Sequence, residues 1–329
     1  MIWERKSFAA NCNNQCLGFI DLGMRGFYRF KKKYRIITAG LIGLFLLYLA
    51  FSKAPQRKVD EPQIKLYLHE EKKVTQLGLE EYLTGTVAAE MPASFESEAL
   101  KAQAVAARSY TLRRLQAGHK YESDCDMSDD VNECQAYISR EAFEERHGKK
   151  ADLWGKIARA VEETRGEIMT YDGLPIDALY HSTCGGRTES AQEAWHNRVP
   201  YLQSVSCAYC KDSGHYAEQK NFSNADLIKA IGETGQIQVV ETTASGRAKV
   251  VKINKRRISG EEFRSLLGLP SNWLSIKTSK TGVTVNSRGY GHGIGLCQNG
   301  ANGMAKAGFK YHNILKTYYQ GIDFLKLNY

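Results

Sequence analysis

Near the C-terminus, residues 287–301 read SRGYGHGIGLCQNGA, five glycines set around His292. A dinucleotide loop needs Gly-x-Gly-x-x-Gly opening a helix early in a β-α-β unit, and a phosphate loop needs Lys-Ser/Thr after its last glycine. Gly291, Gly293 and Gly295 fit neither pattern, which sets nucleotide binding aside. Such glycines let backbone pass close to a ligand or to another segment. His292 has three open roles: a donor to substrate, a brace bonded to backbone, or a metal ligand.

Three further stretches carry reactive types. Glu90 follows the apolar run TVAA and precedes Met91-Pro92. Burial would raise its pKa, as a general acid at neutral pH requires, although the exposed end of a helix is the plainer reading. Lys101, Ala104, Val105 and Arg108 are spaced to share one helical face, and Ala102, Ala106 and Tyr110 another. Lys101 and Arg108 are either substrate contacts or ordinary solvated charges. In YHSTCGGRTESAQEAW, residues 180–195, His181 and Cys184 lie three apart, which suggests a nucleophile or a metal site, though a strand would point them to opposite faces. Glu189 and Glu193, four apart, are expected to be neighbours on a helix.

These residues need elements to hold them. QIKLYL (63–68) alternates as a strand does, and 79–91 reads as a helix ended by Pro92. The strongest helix spans 97–118, alanine-rich, with Ser97 as N-cap and Gly118 at its close; its small residues suit a central position. Residues 119–153 are polar and are expected to be irregular. A helix follows over 154–164, and Asp172-Gly173 marks a hairpin within 166–182. Short helices are expected at 224–233 and 260–267, strands near 247–254 and 282–289, and two glycine-ended helices after Leu296. There is no regular β-α-β rhythm, so the expected class is α+β, a mixed sheet with packed helices.

The chain has 329 residues and a net charge of +9, but residues 1–35 alone carry +6, leaving +3 for the rest. Basic residues in a tail rather than on a folded face exclude a nucleic-acid binder. The sixteen uncharged residues 36–51 follow Lys31-Lys32-Lys33-Tyr34-Arg35. They predict one transmembrane helix over 36–52 with the basic tail on the cytoplasmic side. The expected order is therefore tail (1–35), anchor (36–52), linker (53–62) and an extracytoplasmic domain (63–329), a single-pass protein of the cell membrane. Six of the eight cysteines fall in that outer domain, where disulfides and zinc are both open. Cys184, Cys207 and Cys210 with His215 are one possible set.

Taken together, EEYLTGTVAAEMPASFESEALKAQAVAARSYTL, CQAY, YHSTCGGRTESAQEAW with PYLQSV, and GYGHGIGLCQNGANGMAKAG with ILKTYYQGI closely resemble the stage II sporulation protein D family, in order across about 63–329. The resemblance implies a membrane-anchored lytic transglycosylase. Such an enzyme cleaves peptidoglycan strands between N-acetylmuramic acid and N-acetylglucosamine, leaves 1,6-anhydro ends and prefers strands stripped of stem peptides. It implies work alongside a sporulation amidase and a multi-spanning membrane partner during engulfment, and it makes Glu90, in the Ala-Glu-Met-Pro motif, the catalytic acid. Lys101, Arg108, His181, Ser182, Tyr201, His292 and Gln298 are the candidate substrate contacts. No cofactor is expected for catalysis. A structural zinc on Cys125, Cys134 and His119 is open, as is a Cys125–Cys134 disulfide. The alternative is a non-catalytic glycan-binding enhancer or scaffold of a cell-wall amidase.

Overall fold

The computed structural model describes residues 60–148 and 152–329. It opens with a hairpin of β1 (Gln63–Leu68) and β2 (Lys73–Gly78), which feeds directly into α1 (Leu79–Glu90). Gly78 offers no side-chain cap. The Pro62 carbonyl and the Glu61 carboxylate instead accept from the N–H groups of Leu79 and Glu80, satisfying donors that a helix start leaves open. After Pro92 comes α2 (Ser97–Gln116), in which Ser97 is the first helical residue and Glu96 takes the cap position. Ala99, Ala102, Ala104, Ala106 and Ala107 are fully buried. Their small side chains let α2 lie at the centre, against α1 and the helices and strands that follow.

The stretch expected to be irregular holds a two-residue strand, β3 (Met127–Ser128), parallel to β1, and a helix, α3 (Arg140–His147), capped by Ser139. Then come α4 (Leu153–Glu163) and the hairpin β4 (Glu167–Tyr171) and β5 (Leu174–Pro175). Asp172 and Gly173 both have positive φ, as the tight turn demands. The next short strand, β6 (Tyr180–His181), leaves that hairpin, and α5 (Ala191–Trp195) follows.

Residues 217–288 build a second region. Its elements are β7 (Ala217–Ser223), α6 (Asn224–Ile231), β8 (Ile237–Thr242), β9 (Ala248–Ile253), β10 (Arg256–Ser259), α7 (Gly260–Leu266), β11 (Leu274–Thr278) and β12 (Gly282–Arg288). They make two three-stranded antiparallel sheets, ordered β11-β12-β7 and β10-β9-β8. Leu227, Val251, Ile253, Phe263 and Val285 fill their own apolar core. The chain returns through β13 (Leu296–Cys297), which pairs in parallel with β6, then α8 (Gln298–Lys306), α9 (Tyr311–Tyr318) and β14 (Asp323–Lys326), which closes on β4. The larger core gathers Ile64, Leu83, Val87, Leu100, Val105 and Leu315, each fully buried aliphatic contributing ~2 kcal/mol.

The α+β reading therefore describes the fold, but the membrane part of the expectation is corrected. The segment 36–52 and the basic tail lie outside the described residues, and among the described residues no helix is long and apolar enough to cross a membrane. The single-pass placement with a cytoplasmic N-terminus therefore has no support among the described residues.

Candidate active site

Glu90 is the last residue of α1, where the helix dipole opposes a negative charge and no basic residue sits in the final turn. Its carboxyl is half-buried. Oε1 accepts from the Ala136 N–H at 2.9 Å, and Oε2 accepts from the Gln298 amide at 3.4 Å. Burial pushes the Glu90 carboxyl above its ordinary value, and these two donors only partly offset it. Among the described residues no neighbouring charge contributes to the shift.

Two local features bring those donors there. A Cβ on Gly85 would stand 2.3 Å from the Tyr137 ring and 2.6 Å from the Ile138 carbonyl. Glycine within α1 thus lets the irregular segment 135–138 lie on the helix and aim Ala136 N–H at Glu90. Gln298 opens α8 immediately after β13. Its Nε2 also reaches Gln103 Oε1 on α2 at 3.4 Å, while Gln103 Nε2 is buried without a partner. Behind this lies a row of neutral polar groups: Tyr180 O–H donates to Gln135 Oε1, and Gln135 Nε2 donates to Tyr82 and Thr111. Sequence reasoning missed Gln103, Gln135 and Tyr180; a buried glutamine on an alanine-rich helix has no local signature.

The glycine run packs against 179–185. Gly295 has φ of +70°, and a Cβ there would sit 2.0 Å from the Leu179 carbonyl. The run's closeness is thus to another chain segment. Ile294 N–H donates to His292 Nδ1 at 3.1 Å, so the proton is on Nε2, which donates to the Tyr180 carbonyl at 2.9 Å. Both nitrogens are used internally, and burial pushes His292 down to about 4. The geometry matches the brace among its three roles. Its ring still lines a cleft with Trp195, Glu193, Lys249 and Glu261, and Trp195 is exposed. His181 is buried; its Nδ1 bonds the Ile294 carbonyl and its Nε2 has no partner. Ser182 contacts Asn299 Nδ2 through its hydroxyl and carbonyl.

Other candidates sit apart from Glu90's hydrogen-bond network. Arg108 is fully buried and bonds both oxygens of Glu80, at 2.9 and 2.6 Å, with the Glu167 and Val161 carbonyls and the Thr164 hydroxyl taking its other donors. It has no surface to offer a sugar. Lys101 is engaged by Glu98 and Glu163. The Tyr201 hydroxyl oxygen accepts from the Asp177 N–H, and its ring lies by Tyr171. Glu189 and Glu193 are not helical neighbours: Glu189 precedes the Ser190 cap and is buried, accepting from Thr243, Ser245 and the Ser190 N–H.

His119, Cys125 and Cys134 do not converge. The His119 ring packs on Tyr121, and Cys125 Sγ faces the Ser123 carbonyl. Among the described residues, the group able to hold a metal is Cys184, Cys207, Cys210 and Cys297. The fourth member is Cys297 rather than His215, whose ring packs on Tyr290.

A family model described as "Stage II sporulation protein" matches residues 67–171. Stage II sporulation protein D of Bacillus subtilis (strain 168) is 36% identical over 271 residues, covering 80% of this chain and 79% of that protein. The protein of the same name from Bacillus amyloliquefaciens is 34% identical over 276 residues, covering 82% and 80%. The amidase enhancer of Bacillus subtilis (strain 168) is 29% identical over 300 residues, covering 73% of this chain and 39% of that protein.

Proposed function

The chain belongs to the stage II sporulation protein D family, and on that premise we propose that it is a peptidoglycan lytic transglycosylase with Glu90 as its single general acid and base. The observation that carries this reading is the Glu90 environment: a half-buried carboxyl held protonatable by burial and touched, among the described residues, by amides and by no second carboxylate. A glycoside hydrolase of the usual kind needs two carboxylates, one as acid and one as nucleophile or base. A lyase that uses the sugar's own C6 hydroxyl needs one.

Glu90 in its acid form gives its proton to the glycosidic oxygen. The bond from that oxygen to C1 of the muramic acid breaks, and the departing N-acetylglucosamine leaves with a free hydroxyl. The Glu90 carboxylate then takes the proton of the C6 hydroxyl as O6 bonds to C1, closing the 1,6-anhydro ring and restoring the acid. The Ala136 N–H and the Gln298 amide steady the carboxylate between the two transfers. Exposed Trp195 beside His292 offers a flat face for a sugar ring. The natural substrate on this reading is glycan stripped of stem peptides, with an amidase as the supplier.

The test is incubation of the protein with denuded glycan strands and mass analysis for 1,6-anhydro ends. A reaction that yields only reducing ends, or none, overturns the proposal. The second reading, a glycan-binding enhancer of an amidase, is favoured by similarity to a protein named amidase enhancer. It predicts strand binding and amidase stimulation that survive Glu90→Gln.

A further inference from the structure

We propose that Cys184, Cys207, Cys210 and Cys297 bind one zinc ion as a tetrathiolate site, and that this ion fastens the segment that carries Gln298 to the chain that follows β6. The inference is independent of the lyase reading.

Three segments far apart in sequence bring the sulfurs together. All four Sγ atoms lie within 4.8 Å of one another, and all four residues are buried. A tetrahedron with metal–sulfur bonds of about 2.3 Å has edges of roughly 3.8 Å, and the Cys184–Cys210 separation is 3.5 Å. A disulfide would need about 2.05 Å. Cys207-x-x-Cys210 is the close pair common in structural zinc sites.

The surroundings treat the sulfurs as acceptors. The N–H groups of Cys184 and Gly300 both point at Cys297 Sγ at 3.2 Å, and the Gly186 N–H points at Cys184 Sγ at 3.4 Å. The Tyr318 hydroxyl lies 3.2 Å from Cys207 Sγ. Donors aimed at sulfur favour thiolates, and buried thiolates require a cation. Space is kept for them as well: a Cβ on Gly300 would be 2.7 Å from Cys207 Sγ and 3.1 Å from Cys297 Sγ. Four thiolates around a divalent ion leave two negative charges. The buried Arg247 guanidinium, which donates to the Cys184 carbonyl at 3.0 Å, stands close enough to offset part of them.

The site is one residue from the chemistry. Cys297 pairs with His181 in the β6–β13 ladder and caps α8, whose first residue is Gln298. Fixing Cys297 to Cys184 and to the 207–210 turn therefore fixes the Gln298 amide that meets Glu90.

The experiment is elemental analysis of the full chain, purified under reducing conditions without chelator from zinc-supplemented cells, beside Cys210→Ser and Cys134→Ser. We expect about one zinc per chain in the parent and in Cys134→Ser, and less than roughly a tenth of that in Cys210→Ser. Because Cys210→Ser could simply fail to fold, the parent is also exchanged with cobalt(II). The expected spectrum has sulfur-to-cobalt charge-transfer bands and the intense visible bands of a tetrahedral tetrathiolate. Overturning results are a metal-free parent with these sulfurs as free thiols or as two disulfides by peptide mapping, zinc lost from Cys134→Ser but kept in Cys210→Ser, or an octahedral cobalt spectrum.

Discussion

The two ends of α1 each carry a glutamate, and they have opposite fates. Glu80, in the first turn, gains from the helix dipole. Burial alone would raise its pKa, but the Arg108 guanidinium, the Tyr329 hydroxyl and the Gly166 N–H outweigh burial and hold it below the ordinary carboxylate range. Glu90, in the last turn, faces the unfavourable end of the same dipole and, among the described residues, meets the Ala136 and Gln298 amides rather than a cation. The residue type and the helix are shared. What separates a structural anion from a protonatable acid is the presence of a cation and the direction of the dipole.

The most severe test of that contrast is removal of each carboxylate in turn. Glu90→Gln should cut formation of anhydro ends by about 10²–10⁴-fold, the usual worth of a general acid–base group, with strand pull-down unchanged. Glu80→Gln should leave the turnover of the folded fraction near the parent's. Equal losses of turnover at both positions would erase the distinction.

Arg108→Met comes next in size. It leaves Glu80 buried without its cation, and breaking such a pair costs about 3–5 kcal/mol, read as a lowered denaturant midpoint. A depressed carboxyl contributes stability that is present above its unfolded pKa and lost as pH falls through the folded one. The variant's deficit should therefore shrink in acid. A deficit that is constant with pH would mean that packing, not charge, is what Arg108 supplies.

How much of this contrast could be read before the fold was known follows from what is local. Helix α1, central α2 and the Asp172-Gly173 turn announce themselves through apolar spacing, small residues and turn chemistry within a few residues. Glu90 was legible as a candidate because Pro92 ends its helix beside it, and the family resemblance singled it out. The Glu80–Arg108 pair was not legible: its partners lie 28 residues apart, and Arg108 looked like a groove residue. Cys297 is 113 residues from Cys184 and is brought to it by the parallel pairing of β6 and β13 and the contacts beside it. Short strands such as β3, β5, β6 and β13 take their pairing from distant chain, so periodicity over two residues could not reveal them.

A smaller effect sharpens the Glu90 side. The Gln298 amide favours the ionised carboxylate, so Gln298→Ala should raise the Glu90 pKa further. The alkaline limb of the pH–rate profile should move to higher pH while the maximal rate falls by roughly tenfold, the worth of one hydrogen bond to a charged group. A fall in rate with an unmoved limb would mean that Gln298 positions substrate and leaves the acid alone.

The smallest expected effect is on stability, and its sign is the opposite of Arg108's. A carboxyl whose folded pKa lies above its unfolded value contributes stability that is complete below the unfolded value and is lost as pH rises through the folded one. Glu90 is such a group. Glutamine at that position keeps a carbonyl for the Ala136 N–H and never ionises. Glu90→Gln should thus match the parent most closely in acid and exceed it in stability by a growing margin as pH climbs, even though it has lost the reaction. Parallel melting curves for the two proteins from acid to alkaline pH would show that Glu90 ionises in the fold without cost, and an acid with no such cost has no reason to stay protonated where the reaction needs it.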